Sequence, residues 1–208
     1  MKKIIIIGAG GFGREILDTI CYINQTIKKY EVVGFIDNKI SKGSLVNGLA
    51  VLGNENELEY YSDASLVIGI ADPHARKRYF EHYKDRFDFP VIVHPTAIIS
   101  DFALIGAGSL IQAFCIVAAN SVLGNCVAVN ARSGIGHDAS VGDYTSIQSY
   151  CDITGNNSVG ELCFFGTGVK LIPGLVIASE CYLCAGTVVF KDIIVKSKVL
   201  GNPGKIIN

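Results

Sequence analysis

Charge is scarce in this chain: 18% of its 208 residues are Asp, Glu, Lys or Arg, and they leave a net charge of −1. That balance excludes the electrostatic footprint of a protein that grips nucleic acid or an anionic membrane surface. Tryptophan is absent, and only four histidines occur, one of them beyond residue 94. No apolar run is long enough to insert into a membrane. The opening MKKIIIIGAGG has two lysines and four isoleucines, but glycines follow where the apolar core of an export signal would continue. It reads as a buried strand, and without an export signal the expected compartment is the cytoplasm, where disulfides are disfavoured. The one C-x-x-C, CYLC at 181–184, has no second pair to complete a zinc site. All seven cysteines therefore read as small buried apolar residues, and no metal is expected. Against these shortages stand 23 glycines and an apolar half of the chain, a profile of turn-rich, tightly packed β structure.

The second half of the chain is periodic. Every sixth residue from Ile99 to Val195 is apolar, seventeen positions in all, and only Phe165 among them is not aliphatic. Two residues before each stands a mostly small residue, a row that takes in Cys115, Cys151, Cys163 and Cys181. A strict period of six fits neither a heptad nor strand alternation; it is the hexapeptide signature of a β-helix. Three hexads make one triangular coil, with the aliphatic pointing inward onto its counterpart about eighteen residues away, one interstrand spacing of about 4.8 Å along the axis. The unbroken phase predicts that no long loop leaves the prism.

The first third reads as strand, glycine turn, helix. Gly8, Gly10 and Gly13 satisfy G-x-G-x-x-G, which permits a tight turn and offers the helix N-terminus to a phosphate. EVVGFID is a second strand ending at Asp37, where a ribose-binding carboxylate sits in dinucleotide folds. ASLVIGIAD at 64–72 is a third buried strand, and PHARKRYFEHY a helix over 74–84. Its ARKR segment reads as a solvated basic face, with Arg76 a minor candidate for a phosphate contact. The expected fold class is α/β followed by β: a Rossmann-like domain over 1–92, then a parallel β-helix over 93–208. The first domain is half the size of a full dinucleotide fold and no catalytic domain for hydride chemistry accompanies it, so a nucleotide-sugar diphosphate suits the loop better than NAD.

GAGGFGREI, GFID, VIGIADPHARKR and a hexapeptide prism closing with FKDIIVKSKVLGNPGKII together resemble the bacterial sugar O- and N-acyltransferases of the left-handed β-helix type, including the UDP-bacillosamine-pathway N-acetyltransferases and the acetyltransferases of sialic acid synthesis. The resemblance supplies the handedness. It implies a homotrimer with acetyl-CoA in the groove between subunits and a nucleotide-linked (UDP or dTDP) deoxyaminosugar in the first domain. The γ-type carbonic anhydrases share the repeat, but they need several histidines at a metal, and His137 is alone here. In NARSGIGHD the family's motif implies His137 as general base, Asp138 as its orienting acid and Asn130 as a lining of the acetyl or sugar site. The residues agree in part: His137 follows the inward Ile135 by two, which puts it on an outward corner, and an imidazole is mostly unprotonated at neutral pH. Ser146 stands where relatives often carry a second histidine. Gly155, Thr167 and Ala185 complete the implied donor groove, and Gly10, Gly11, Phe12, Asp37, Asn38 and Ala71 the implied sugar-nucleotide site. His74, His82 and His94 are given no catalytic role. The alternatives are O-acetylation of a sugar hydroxyl, and a nucleotide-sugar-binding protein without activity.

Overall fold

A computed structural model describes residues 1–207. The chain begins with a five-stranded sheet of order β3-β4-β2-β1-β5. Strand β1 (Lys2–Ile7) lies between β2 (Tyr30–Ile36) and β5 (Ser65–Ile68), parallel to both. Ile4 to Ile7 are buried on both faces, which is why four consecutive isoleucines sit in one strand. Helix α1 (Gly11–Thr26) covers the sheet with Ile16, Leu17 and Ile20, spaced to fall on one side. Helix α2 (Pro73–Tyr83) starts at an Asp72 cap, whose side chain accepts from the Ala75 N–H at 2.7 Å, with proline in the first turn. The remaining two strands, β3 (Leu45–Val46) and β4 (Leu49–Gly53), form a hairpin outside the expected elements. Its turn is Asn47-Gly48, both at positive φ.

From Ile92 to Val189 the chain is a prism of parallel two-residue strands stacked in three sheets, and Lys198–Leu200 extends the last of these sheets and pairs antiparallel with Lys205–Ile207. Sheet I contains Ile98–Ile99, Ile116–Val117, Gly134–Ile135 and their successors; sheet II begins at Leu104–Ile105; sheet III begins at Ile92–Val93. Partners are eighteen residues apart, as in Ile116 with Gly134 and Ala128 with Ser146. The inward row from Ile111 to Val189 is buried, and the small row is buried beside it. Each such aliphatic contributes about 2 kcal/mol by leaving water. One residue per turn takes the left-handed conformation, among them Asn120, Asp138 and Asn156 on one edge and Arg132 and Tyr150 on another.

Three expectations are corrected here. The six-residue phase ends before Val195, which is 61% exposed, while Ile193 is buried. Ile177 pairs with Ile193 and Tyr182 with Lys198, sixteen residues on, so the last coil is two residues short. Not all cysteines are buried: Cys21 is exposed on α1 and Cys184 half-buried. Finally, the ARKR segment is not a uniformly solvated face, because Arg76 is fully buried. It lies where α2 packs on sheet III, beside Phe80, which meets Phe89 and Tyr144 edge-on.

Candidate functional site

The first half-site is a cleft of about 540 Å³ at the carboxyl ends of β1, β2 and β5. It brings together all six residues expected there: Gly10, Gly11, Phe12, Asp37, Asn38 and Ala71. A Cβ on Gly10 or Gly11 would meet no atom within 4 Å, so this backbone faces open space, and the Gly10 cap makes no side-chain bond to the first turn of α1. The helix N–H groups are thus available to an anion. Gly13 serves packing instead. A Cβ there would lie 1.9 Å from the Gly8 carbonyl oxygen, so its absence allows helix and strand to close up. The Asp37 carboxylate accepts from the N–H groups of Ala9 (2.9 Å), Lys39 (2.8 Å) and Ile40 (3.2 Å), which makes it a brace of the glycine loop. Asn38 donates to the Tyr79 hydroxyl at 3.3 Å.

The arginine that lines this cleft is Arg78, with its guanidinium 4.9 Å from the Tyr79 ring. Arg76, the expected candidate for a phosphate contact, is buried and does not line the cleft. Two residues on a helix are about 200° apart, which sends Arg76 into the prism while Arg78 reaches the cleft. The Arg76 Nε donates to the Cys126 carbonyl (2.9 Å), and Nη1 to the carbonyls of Ile70 (3.1 Å) and Ala71 (3.0 Å) and to the Ser146 hydroxyl (2.7 Å). Nη2 donates to the Tyr144 carbonyl. Burial pushes its pKa down to about 10, still cationic at neutral pH. Ser146 is correspondingly not a groove residue: its buried hydroxyl donates to the Ala71 carbonyl at 2.5 Å, beneath the cleft wall. Lys39 and Tyr79 carry no signal in the sequence, and Arg78 reads there only as part of the solvated ARKR face, although the helical spacing from Arg76 sets it apart.

The second half-site is on the prism edge between sheets I and II. His137 is exposed at its turn, with Nδ1 2.8 Å from Asp138 Oδ2. Asn120, one coil below, donates to the other Asp138 oxygen at 3.1 Å. These two bonds hold the Asp138 carboxyl below the usual carboxylate range. A carboxylate accepts from an N–H, so in the neutral ring the proton sits on Nδ1 and Nε2 carries the lone pair. The ring packs against Gly155, where an added Cβ would come within 2.6 Å of Nε2. Gly155 is therefore the seat of the imidazole.

Asn130 is elsewhere. It faces α1 from the end of a sheet III strand, is 7% exposed, and a full side of the prism separates it from His137. Thr167 and Ala185 lie on that same edge, one coil apart: the Gly186 N–H donates to the Thr167 carbonyl, and the Gly168 N–H to Ser149 below. So one chain does not bring the expected site together. It presents the cleft with Asn130, Thr167 and Ala185 on one side and His137, Asp138 and Gly155 on another. No group of three or more His, Cys, Asp or Glu is placed to hold a metal among the described residues, and no helix among them is long and apolar enough to cross a membrane.

Residues 3–83 match the family described as the PglD N-terminal domain. The chain is 29% identical over 177 residues to the GDP-perosamine N-acetyltransferase of Escherichia coli O157:H7, covering 82% of this chain and 78% of that one. Among solved structures, the acetyltransferase domain of PglB from Neisseria gonorrhoeae FA1090 superposes with a TM-score of 0.93 at 29% identity, covering all of both chains. That domain is also known in complex with acetyl coenzyme A. WeeI from Acinetobacter baumannii AYE matches with a TM-score of 0.88 at 25% identity, again over both whole chains. With a PglD-type domain mounted on a hexapeptide prism of left-handed β-helix type, the chain is similar over its whole length to these sugar acetyltransferases.

Proposed function

We propose that the chain transfers the acetyl group of acetyl-CoA to the amino group of a nucleotide-linked deoxyaminosugar, with His137 as general base. The observation that carries this reading is the His137–Asp138 pair, which leaves a bare Nε2 on an exposed edge. The amine attacks the thioester carbonyl while Nε2 takes its proton; CoA leaves as the thiolate and is protonated, and no acyl-enzyme forms. Asp138 orients the ring and stabilises the imidazolium. The diphosphate is held at the α1 N-terminus with Arg78, and the names of the relatives add GDP to UDP and dTDP as nucleotides to be tried.

The reading requires more than one copy. Sheet I joins the two edges that carry the half-sites, and its outer face exposes Ile98 and Ile116 beside Phe114, an apolar strip unusual for a free surface. Three prisms packed through sheet I about a threefold axis set the Thr167–Ala185 edge of each against the His137 edge of the next, with acetyl-CoA in the groove between them. Ser146 gives no support to an inactive protein, since its hydroxyl already serves Arg76 and Ala71.

Two variants test the shared site. In Gly11→Trp the indole fills the cleft, and in His137→Ala the base is lost; each alone is expected to lower the rate of sugar acetylation, followed by mass spectrometry, at least about 10²-fold. Co-expressed at equal levels they are expected to recover about a quarter of the wild-type rate, because each site draws its cleft and its histidine independently. No recovery would show that both halves must come from one chain. A quieter variant is Gly155→Ala, whose methyl lifts the imidazole from its seat. Turnover is expected to fall about tenfold through misplacement of Nε2, with the melting temperature unchanged.

A further inference from the structure

Phe114, Arg132 and Tyr150 stand one per coil on the prism edge between sheets III and I, all exposed and all in the left-handed conformation. Bulky residues rarely take that conformation, and here three follow one another. The Arg132 guanidinium carbon lies 5.8 Å from the centre of the Phe114 ring and 5.4 Å from that of Tyr150, and Nη1 donates to the Tyr150 hydroxyl at 2.6 Å. The two rings hold the cation at the edge. Only one of its N–H groups is used, and no carboxylate of the same chain pairs with it among the described residues. A guanidinium has five such donors.

The edge between sheets I and II carries the matching column Phe102, Asn120, Asp138 and Asn156. The Asp138 carboxylate takes one N–H on each oxygen, from Asn120 and from His137. Each oxygen keeps a further lone pair. Arg132 and Asp138 cannot meet within one chain, because the strand Gly134–Ile135 of sheet I lies between them. Between copies they can. Rotation about a threefold axis running along the prism leaves heights unchanged, and six residues of an eighteen-residue coil separate the two in height by about 1.6 Å. The same register sets Phe102, 74% exposed, against Thr96, which lies in the wall of an apolar pocket of about 340 Å³ with Tyr22, Pro95 and Phe114. One packing thus offers an aromatic knob to a socket and, two coils higher, a cation to an anion.

We propose, on the reading that copies pack through sheet I with His137 as the base, that Arg132 donates across the subunit boundary to the Asp138 carboxylate of the adjacent copy. It is then a positioning residue for the neighbour's imidazole. Asp138 stands on an exposed turn, braced within its chain by Asn120 alone. A charge-assisted bond from the clamped guanidinium fixes the carboxylate, which keeps the Nδ1 proton directed at it and Nε2 directed at the attacking amine. Assembly therefore completes the base as well as the groove.

Cross-linking and kinetics on the full-length protein test it. In a chain carrying both Arg132→Cys and Asp138→Cys, a short bismaleimide is expected to give covalent trimers on denaturing gels, and in either single variant none. Kinetics use acetyl-CoA with whichever of the GDP-, UDP- and dTDP-linked aminosugars the wild type turns over fastest, at concentrations where sedimentation shows the oligomer intact. Arg132→Gln is expected to lower kcat about tenfold with both KM values unchanged, and Arg132→Lys, which keeps the cation, to restore part of the loss. Because Arg132 acts through Asp138, adding Arg132→Gln to Asp138→Asn is expected to cost nothing further. A further tenfold loss in that double variant, equal losses with Gln and Lys, or a rise in the acetyl-CoA KM alone would each overturn the role. No cross-link in the double-cysteine chain would overturn the contact itself, whatever the enzyme acetylates. Covalent trimers without acetylated product from the wild type would instead refute the proposed reaction, and the positioning role with it.

Discussion

His137→Ala is expected to lower turnover at least about 10²-fold at neutral pH, with the affinity for both substrates and the oligomeric state unchanged. The imidazole is exposed, packs on Gly155 and bonds only the exposed Asp138, so its removal leaves no orphaned group in the core. Its loss therefore falls on kcat, because the proton on the attacking amine has nowhere to go as the new C–N bond forms. Asp138→Asn is the control. The amide still fills the left-handed turn position, but it no longer offers a charged acceptor to Nδ1, so the ring can carry its proton on Nε2 instead. Turnover between that of wild type and His137→Ala is expected, measured as acetylated product by mass spectrometry under saturating acetyl-CoA. A His137→Ala enzyme within a factor of about three of wild type, well short of what a lost general base costs, would remove His137 from the chemistry.

The prism was legible because its period leaves no alternative: a side chain every sixth residue that must face inward admits few shapes. The misreading at Val195 has a physical cause. Shortening the last coil by two residues moves Ile193 inward, and Val195 is apolar by coincidence, so the pattern in sequence outlasts the pattern in space. NARSGIGHD misleads in a different way. Asn130 and His137 are seven residues apart, close enough to read as one constellation, yet in a triangular coil that interval carries the chain past a turn and along a whole side. A motif on a β-helix is thus a statement about two edges. The glycine cleft was legible because the turn, the helix start and the strand end are local. The buried arginine was not, because charge in a sequence reads as solvent exposure, and nothing local announces that carbonyls from another domain await it.

That arginine leads to the largest expected effect on stability. Arg76→Met should destabilise the protein by about 4 kcal/mol, although methionine fills much of the volume and removes a costly buried charge. The guanidinium satisfies five acceptors, and no carboxylate is among them: the carbonyls of Ile70, Ala71, Cys126 and Tyr144, and the Ser146 hydroxyl. Those of Cys126 and Tyr144 come from left-handed turns of successive coils, and Arg76 bonds both from α2. Those of Ile70 and Ala71 form the cleft wall, so one side chain ties the cleft to the prism. Removing it strands several buried acceptors at once, and an apolar thioether answers none of them. Arg76→Lys keeps the charge but cannot span both the cleft and the prism carbonyls with one ammonium; about half the loss is expected. Denaturant midpoints followed by circular dichroism check both values, since the chain has no tryptophan to report. A further readout separates a brace from a mere filler. In Arg76→Lys at a temperature where it remains folded, the KM for the nucleotide-sugar is expected to rise while that for acetyl-CoA stays put, because Ala71 sits on the cleft side of the bracket. A methionine variant within about 1 kcal/mol of wild type would mean that water already reaches these carbonyls and that the two domains are held by their apolar contact alone.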